Sequence, residues 1–180
     1  MRKLAVVIVV MVAASLINGQ TKSGPAVTND VAQARKDPFP REKFDPKRDA
    51  QADVDAAVTS AKASNKRIIL DIGGEWCIWC VYMDKFFYQH PQLAKVRDDN
   101  FVWVKINFSP ENENKEFLAT FPDPPKGYPH LYVLDEDGKL LYSKDTSELE
   151  EPHAYSLTRF TAFLEEWSPK GAAAQLSKPN

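Results

Sequence analysis

The run Ile68-Ile69-Leu70-Asp71-Ile72 constrains the fold more than any other stretch of the chain. It is short, apolar and rich in β-branched residues, the pattern of a central strand buried in a sheet. Such a strand needs packed layers over it, and the flanking sequence supplies helices. Asp49 is placed to cap a helix, and the segment 49–66 carries Val54, Ala57, Val58 and Ala61 at helical spacing. Beyond Gly73-Gly74, the segment 77–89 has helical character, with Met83, Phe86 and Phe87 on one side, and His90-Pro91 ends or kinks it. The segment 100–108 reads as a second strand, 111–121 as a helix, and 122–128 as a loop holding three prolines and a glycine. Two apolar runs, 131–134 and 140–143, flank Asp135-Glu136-Asp137-Gly138 and predict a hairpin. A last helix over 156–167 shows the stripe Leu157, Phe160, Phe163, Leu164 and Trp167. Helix, strand, helix, strand, helix, hairpin, helix is the order of a mixed α/β sandwich with a central sheet flanked by helices.

A chain of 180 residues accommodates one such domain, here 49–168, with segments left over at both ends. The formal charge is only -2, which points to neither a nucleic-acid nor a membrane-surface partner. Arg2 and Lys3 precede an apolar run from Leu4 to Ala14 and then small and polar residues up to Gly19. That pattern predicts a secretory signal peptide over 1–19, too short for the ~20 apolar residues of a membrane span. An uncleaved anchor is the competing reading, and the absence of a cysteine near the expected cut argues against a lipid anchor. Export, to a periplasm or the exterior, would place the chain where disulfides persist. Residues 20–48 read as an extended, proline-rich arm, with Phe39 and Phe44 positioned to tack it onto the domain, and 169–180 as a loose tail.

The only two cysteines, Cys77 and Cys80, lie three positions apart directly behind the glycine pair and interleaved with Trp76 and Trp79. Three residues along a helix rise about 4.5 Å and turn about 300°, which puts the Cα atoms roughly 5 Å apart, within disulfide range. Three readings fit. As a staple the pair is weak, because closing a loop of about four residues yields roughly 2 kcal/mol against nearly 5 for about 100 residues. As a metal clip it lacks the second ligand pair that structural zinc requires, and His90, His130 and His153 show no ligand spacing. As a redox dithiol it sits well. A helix N-terminus favours a thiolate, and up to ~2 kcal/mol there lowers a pKa by about 1.5 units. Cys77 would attack, and Cys80, one turn deeper, would resolve the mixed disulfide.

Taken together, Ile69-Leu70-Asp71, then Gly74-Glu75-Trp76-Cys77-Ile78-Trp79-Cys80, and the distal Gly127-Tyr128-Pro129-His130-Leu131 with Gly138, resemble the thioredoxin superfamily. The closer likeness is to exported thioredoxin-like proteins with a Trp-Cys-x-Trp-Cys site, and it covers about 49–167. The resemblance implies a thioredoxin-like fold. It implies that Asp71 is a buried, desolvated proton acceptor for Cys80, that Pro129 is cis, and that Tyr128 and Pro129 form a platform for a partner strand. Trp76 would cover apolar ground beside the sulfurs. Each residue also has a plainer reading. Asp71 could be a strand-end carboxylate met by backbone or water, Pro129 an ordinary trans proline, and Trp76 a core residue. Trp79 could shape docking or simply pack, while Glu75 reads as a solvated loop charge and His90 and His130 as structural. Departures surround the sulfurs: Ile78-Trp79 replaces the usual Gly-Pro, Val81 a basic residue, and Gly73 a frequent tryptophan.

The expectation is an exported, monomeric thiol–disulfide oxidoreductase acting on protein or peptide disulfides, without cofactor or metal. The reductase direction requires an upstream thiol–disulfide donor. An oxidase or isomerase is the alternative within the same chemistry. A binding module with a permanently oxidised pair is the alternative outside it.

Overall fold

The computed structural model describes residues 39–171. The signal peptide expected at 1–19, the expected arm up to residue 38 and the expected tail from residue 172 lie outside the described residues. Within them the chain runs α1 (Ala50–Ser64), β1 (Arg67–Gly73), α2 (Ile78–Gln89), α3 (Pro91–Asn100), β2 (Phe101–Asn107), α4 (Lys115–Leu118), β3 (His130–Leu134) and β4 (Leu140–Asp145). A 3-10 turn (Thr146–Leu149), the two-residue strands β5 (Glu150–Glu151) and β6 (Ala154–Tyr155), and α5 (Leu157–Trp167) complete it. No helix among the described residues is long and apolar enough to cross a membrane.

The four-stranded sheet has the order β2-β1-β3-β4. β1 pairs parallel with β2 and antiparallel with β3, so the apolar run identified first is an interior strand. Its side chains alternate between two cores. Ile69 joins Met83, Phe86, Phe87, Phe160 and Leu164 on the face covered by α2 and α5. Ile68, Leu70 and Ile72 join Val54, Ala57 and Ala61 of α1 on the other face. By the same alternation Asp71 shares the face of Ile69, under the cysteine-bearing helix. In register beside it on β2 stands Lys105.

Local chemistry explains the boundaries. Asp49 caps α1 by accepting from the N–H groups of Gln51 and Ala52, and Asn65 ends the helix with φ 53°. The expected helix over 111–121 shrinks to four residues. Asn112 donates to Pro46 O, Asn114 donates to Asn107 O with its own φ at 46°, and Asn107 donates to Asn112 O. These amides tie themselves to the backbone instead of yielding to a helix. His90-Pro91 ends α2 as expected and also begins α3, which the sequence reading left unassigned. Pro91 stands at the first helical position, where its missing N–H costs nothing.

Candidate functional site

After β1 the chain turns through Gly73-Gly74, and Cys77 N–H closes the turn on Gly74 O at 2.9 Å. Cys77 is the N-cap of α2, and its Sγ accepts from the N–H of Cys80 at 3.1 Å. The two cysteines are bonded to each other, with Cα atoms 5.3 Å apart. A sulfur in the N-cap position meets an unpaired helix N–H, as a thiolate would. Gly73 is required by close approach: a Cβ there would lie 2.5 Å from Cys80 Sγ and 3.0 Å from Phe44 Cζ. Cys77 is 4% exposed and Cys80 1%, enclosed with Phe44 and flanked by Trp79 and Tyr128.

One side of this pair is aromatic and partly open. Trp76 is 48% exposed, donates from Nε1 to Phe108 O at 2.6 Å, and meets Tyr128 edge-on at 5.5 Å. It is therefore not the core residue of the plainer reading. Tyr128 stacks on Phe108 at 4.8 Å. The Tyr128–Pro129 peptide is cis. Pro129 is buried, and its carbonyl accepts from Thr146 Oγ1 at 2.5 Å, which ties the cis turn to the start of the 3-10 turn. Trp79 packs inward, edge-on to Tyr82 and Tyr155, and its carbonyl accepts from Tyr155 Oη at 3.3 Å. Of the two tryptophans, Trp76 faces out and Trp79 serves as packing.

The other side is charged and closed. Asp71 is 1% exposed, and its Oδ2 accepts from Lys105 Nζ at 3.0 Å and from Trp103 Nε1 at 3.3 Å. Its Oδ1 is buried with no hydrogen bond. The protein partners of this carboxylate are a buried ammonium and an indole N–H. Lys105 Nζ also donates to Asp84 Oδ1 at 2.8 Å, and Asp84 Oδ2 accepts from Arg41 at 3.2 Å. Arg41 in turn forks onto both oxygens of Glu75, at 2.9 and 2.5 Å, and Phe44 N–H donates to Glu75 Oε1 at 3.1 Å. Glu75 is thus an anchor for the arm, which corrects its reading as a solvated loop charge. Burial lifts the Asp84 carboxyl above the usual carboxylate range, outweighing the pull of Lys105. Burial also pulls Lys105 down, but Asp71 and Asp84 together prevail and hold it above the ordinary lysine value. Glu75 feels burial upward, yet Arg41 and the Phe44 N–H hold it below the ordinary glutamate range.

Asp84, Lys105 and Arg41 escaped the sequence reading. Two signals were present. Asp84 follows Cys80 by four residues, hence lies on the same helix face, and Lys105 interrupts an otherwise apolar strand. His130 donates or accepts at Nε2 with Ser143 Oγ at 2.8 Å, and the His90 ring lies 4.5 Å from that of Phe86. Among the described residues no three His, Cys, Asp or Glu side chains are grouped to hold a metal.

Residues 49–136 match the thioredoxin-like family, and the sheet, the flanking helices and the Cys77–Cys80 pair agree with it. The chain belongs to the thioredoxin superfamily. This thioredoxin-fold chain superposes on the crystal structure of a disulphide isomerase from Xylella fastidiosa with a TM-score of 0.61 and 26% identity, over 71% of this chain and 98% of that one. It is 25% identical to the thiol:disulfide interchange protein DsbD of Pseudomonas fluorescens over 118 residues, 65% of this chain and 18% of that protein. It is 39% identical to an uncharacterized protein of Caenorhabditis elegans over 51 residues, 28% of this chain and 7% of that protein. The matched segments therefore span less than a fifth of these curated relatives.

Proposed function

We propose that this protein is an exported, monomeric thiol–disulfide oxidoreductase that reduces disulfides in other polypeptides through Cys77 and Cys80. The observation that carries the reading is the placement of Cys77: a helix N-cap whose sulfur receives the Cys80 N–H and is bonded to Cys80. In the reduced protein the Cys77 thiolate attacks one sulfur of a partner disulfide. That S–S bond breaks, the second partner sulfur leaves as a thiolate and takes a proton, and a mixed disulfide remains. Cys80 then gives its proton to Asp71 and attacks Cys77 Sγ. The Cys77–Cys80 bond forms as the mixed disulfide breaks, and the remaining partner thiol departs. Two electrons have passed to the partner, and an upstream dithiol donor must restore them.

Asp71 suits the acceptor role because Oδ1 is buried and makes no hydrogen bond, while Oδ2 is held by Lys105. Pro129, Tyr128 and the exposed Trp76 form the partner platform, with Trp79 bracing the helix from within. A buried acid near the resolving thiol favours donation of electrons; the likeness to a disulphide isomerase supports isomerisation as the competing direction. The deep cover over both cysteines favours a second reading, a binding module whose disulfide stays closed. Insulin reduction distinguishes them. The wild type is expected to accelerate it and Cys77→Ser to remove the acceleration, whereas equal rates overturn the enzyme reading. Cys80→Ala is expected to accumulate covalent partner adducts.

A further inference from the structure

Residues 39–48 hold no helix or strand, yet they reach the centre of the site. Phe44 is 3% exposed and forms one buried cluster with Cys77 and Cys80. One edge of its ring crowds Gly73 beside Cys80 Sγ. Lys105 Nζ lies 4.2 Å from the centre of the same ring. Phe44 therefore touches the sulfur pair and the ion cluster at once. The ammonium of Lys105 is surrounded by Asp71, Asp84 and this aromatic face, a favourable setting for a cation.

A cleft of about 430 Å³ opens on the same charges, lined by Arg41, Tyr88, Asp84, Trp103 and Lys105 among others. Neither Phe44 nor either cysteine lines it. The cleft reaches these charges but not the sulfurs. Arg41 forms part of its wall and, through Glu75 and Asp84, fixes the segment that carries Phe44.

We propose that Phe44 and Arg41 are positioning residues of the redox site: Phe44 is the partition that keeps the solvent of the cleft from Cys80, and Arg41 pins the arm that holds it there. This inference rests on the thiol–disulfide reading above and deepens it. An apolar surrounding keeps the Cys80 thiol protonated until a specific acceptor takes the proton. Removing the partition lets water stabilise the Cys80 thiolate directly, so the thiol ionises at lower pH and small reagents reach it. The groups that face this region are Asp71 from β1, Lys105 from β2, Asp84 from α2, and Arg41 with Glu75 at the arm. Arg97 and Asp98 of α3 line the outer cleft, and Tyr155 of β6 lies against Trp79.

Cys77→Ser leaves Cys80 as the only thiol in the chain, so iodoacetamide alkylation as a function of pH reads that sulfur alone. In this background Phe44→Ala is expected to speed alkylation at neutral pH about tenfold and to lower the midpoint of the pH profile by about one unit. Phe44→Leu, which restores apolar volume, is expected to return most of the shift, and Arg41→Gln to give a smaller shift in the same direction. A loss of packing alone would not move the midpoint. A Phe44→Ala profile that superimposes on its background overturns the proposal. Should Phe44→Ala not fold, Arg41→Gln decides: a lowered midpoint supports the partition, an unchanged one overturns it. The two readings fail separately. A wild type that cannot reduce insulin removes the oxidoreductase, while a wild type that reduces insulin with an unmoved Cys80 profile removes only the partition.

Discussion

Two irregular, proline-bearing segments meet at the Cys77–Cys80 pair, and they are built in opposite ways. The arm 39–48 buries Phe44 and anchors itself by charge, Arg41 gripping Glu75 and Asp84. The loop 122–129 offers a half-buried Tyr128 under a half-exposed Trp76, and its polar ties run to the main chain, as in Tyr132 Oη to Asp123 O at 2.5 Å. The contrast gives the disulfide a closed, ionic back and an open, aromatic front. Under the proposed function, partners would dock at the front, where stacking area is exposed and little needs desolvating. Protons would be handled at the back, where a carboxylate is held beside a buried ammonium.

Substitutions separate the two sides by size of effect. Lys105→Met leaves the buried Asp71 without a counter-ion and Asp84 with Arg41 alone, and is expected to cost about 3–5 kcal/mol in urea unfolding; a loss below about 1 kcal/mol would mean that the back is not held by its ions. Phe44→Ala and Trp76→Ala sharpen the comparison directly. The first is expected to cost about 3 kcal/mol of stability. The second is expected to cost about 1 kcal/mol but to slow reduction of a protein disulfide about tenfold. Reversed effects would exchange front and back.

Arg41→Gln is the smallest, about 1 kcal/mol at low salt and less at high salt, since Glu75 is partly exposed. Its pH dependence carries a sign. The folded Glu75 lies below its ordinary value, held there by Arg41 against burial. Its contribution is therefore present above the unfolded pKa of about 4.3 and is lost as pH falls through the lower folded value. The gap between wild type and Arg41→Gln is expected to narrow below about pH 4.

What could be read from the sequence follows the range of each interaction. β1 and the hairpin were legible because an apolar run and an Asp-Gly turn are local signals. α3 was missed because a proline read as a stop is also a favourable start, and the helix over 111–121 was overestimated because Asn112 and Asn114 bond to the backbone. In the site, Cys77 and Cys80 stood out by spacing, and Asp71, Tyr128 and Pro129 by their resemblance to the thioredoxin pattern. Lys105, Asp84 and Arg41 did not, because their partnership depends on the parallel register of β1 with β2 and on where an irregular arm docks. Phe44 was visible as an anchor, but its contact with the sulfurs required the space left by Gly73.

Equilibration of the Cys77/Cys80 couple against glutathione, followed by thiol trapping, tests the central claim most directly. The account predicts one reversible two-electron transition, about 30 mV per tenfold change in ratio, with a midpoint on the reducing side of glutathione and the fold intact throughout. A pair that stays bonded in excess reduced glutathione and dithiothreitol while the protein remains folded would contradict it.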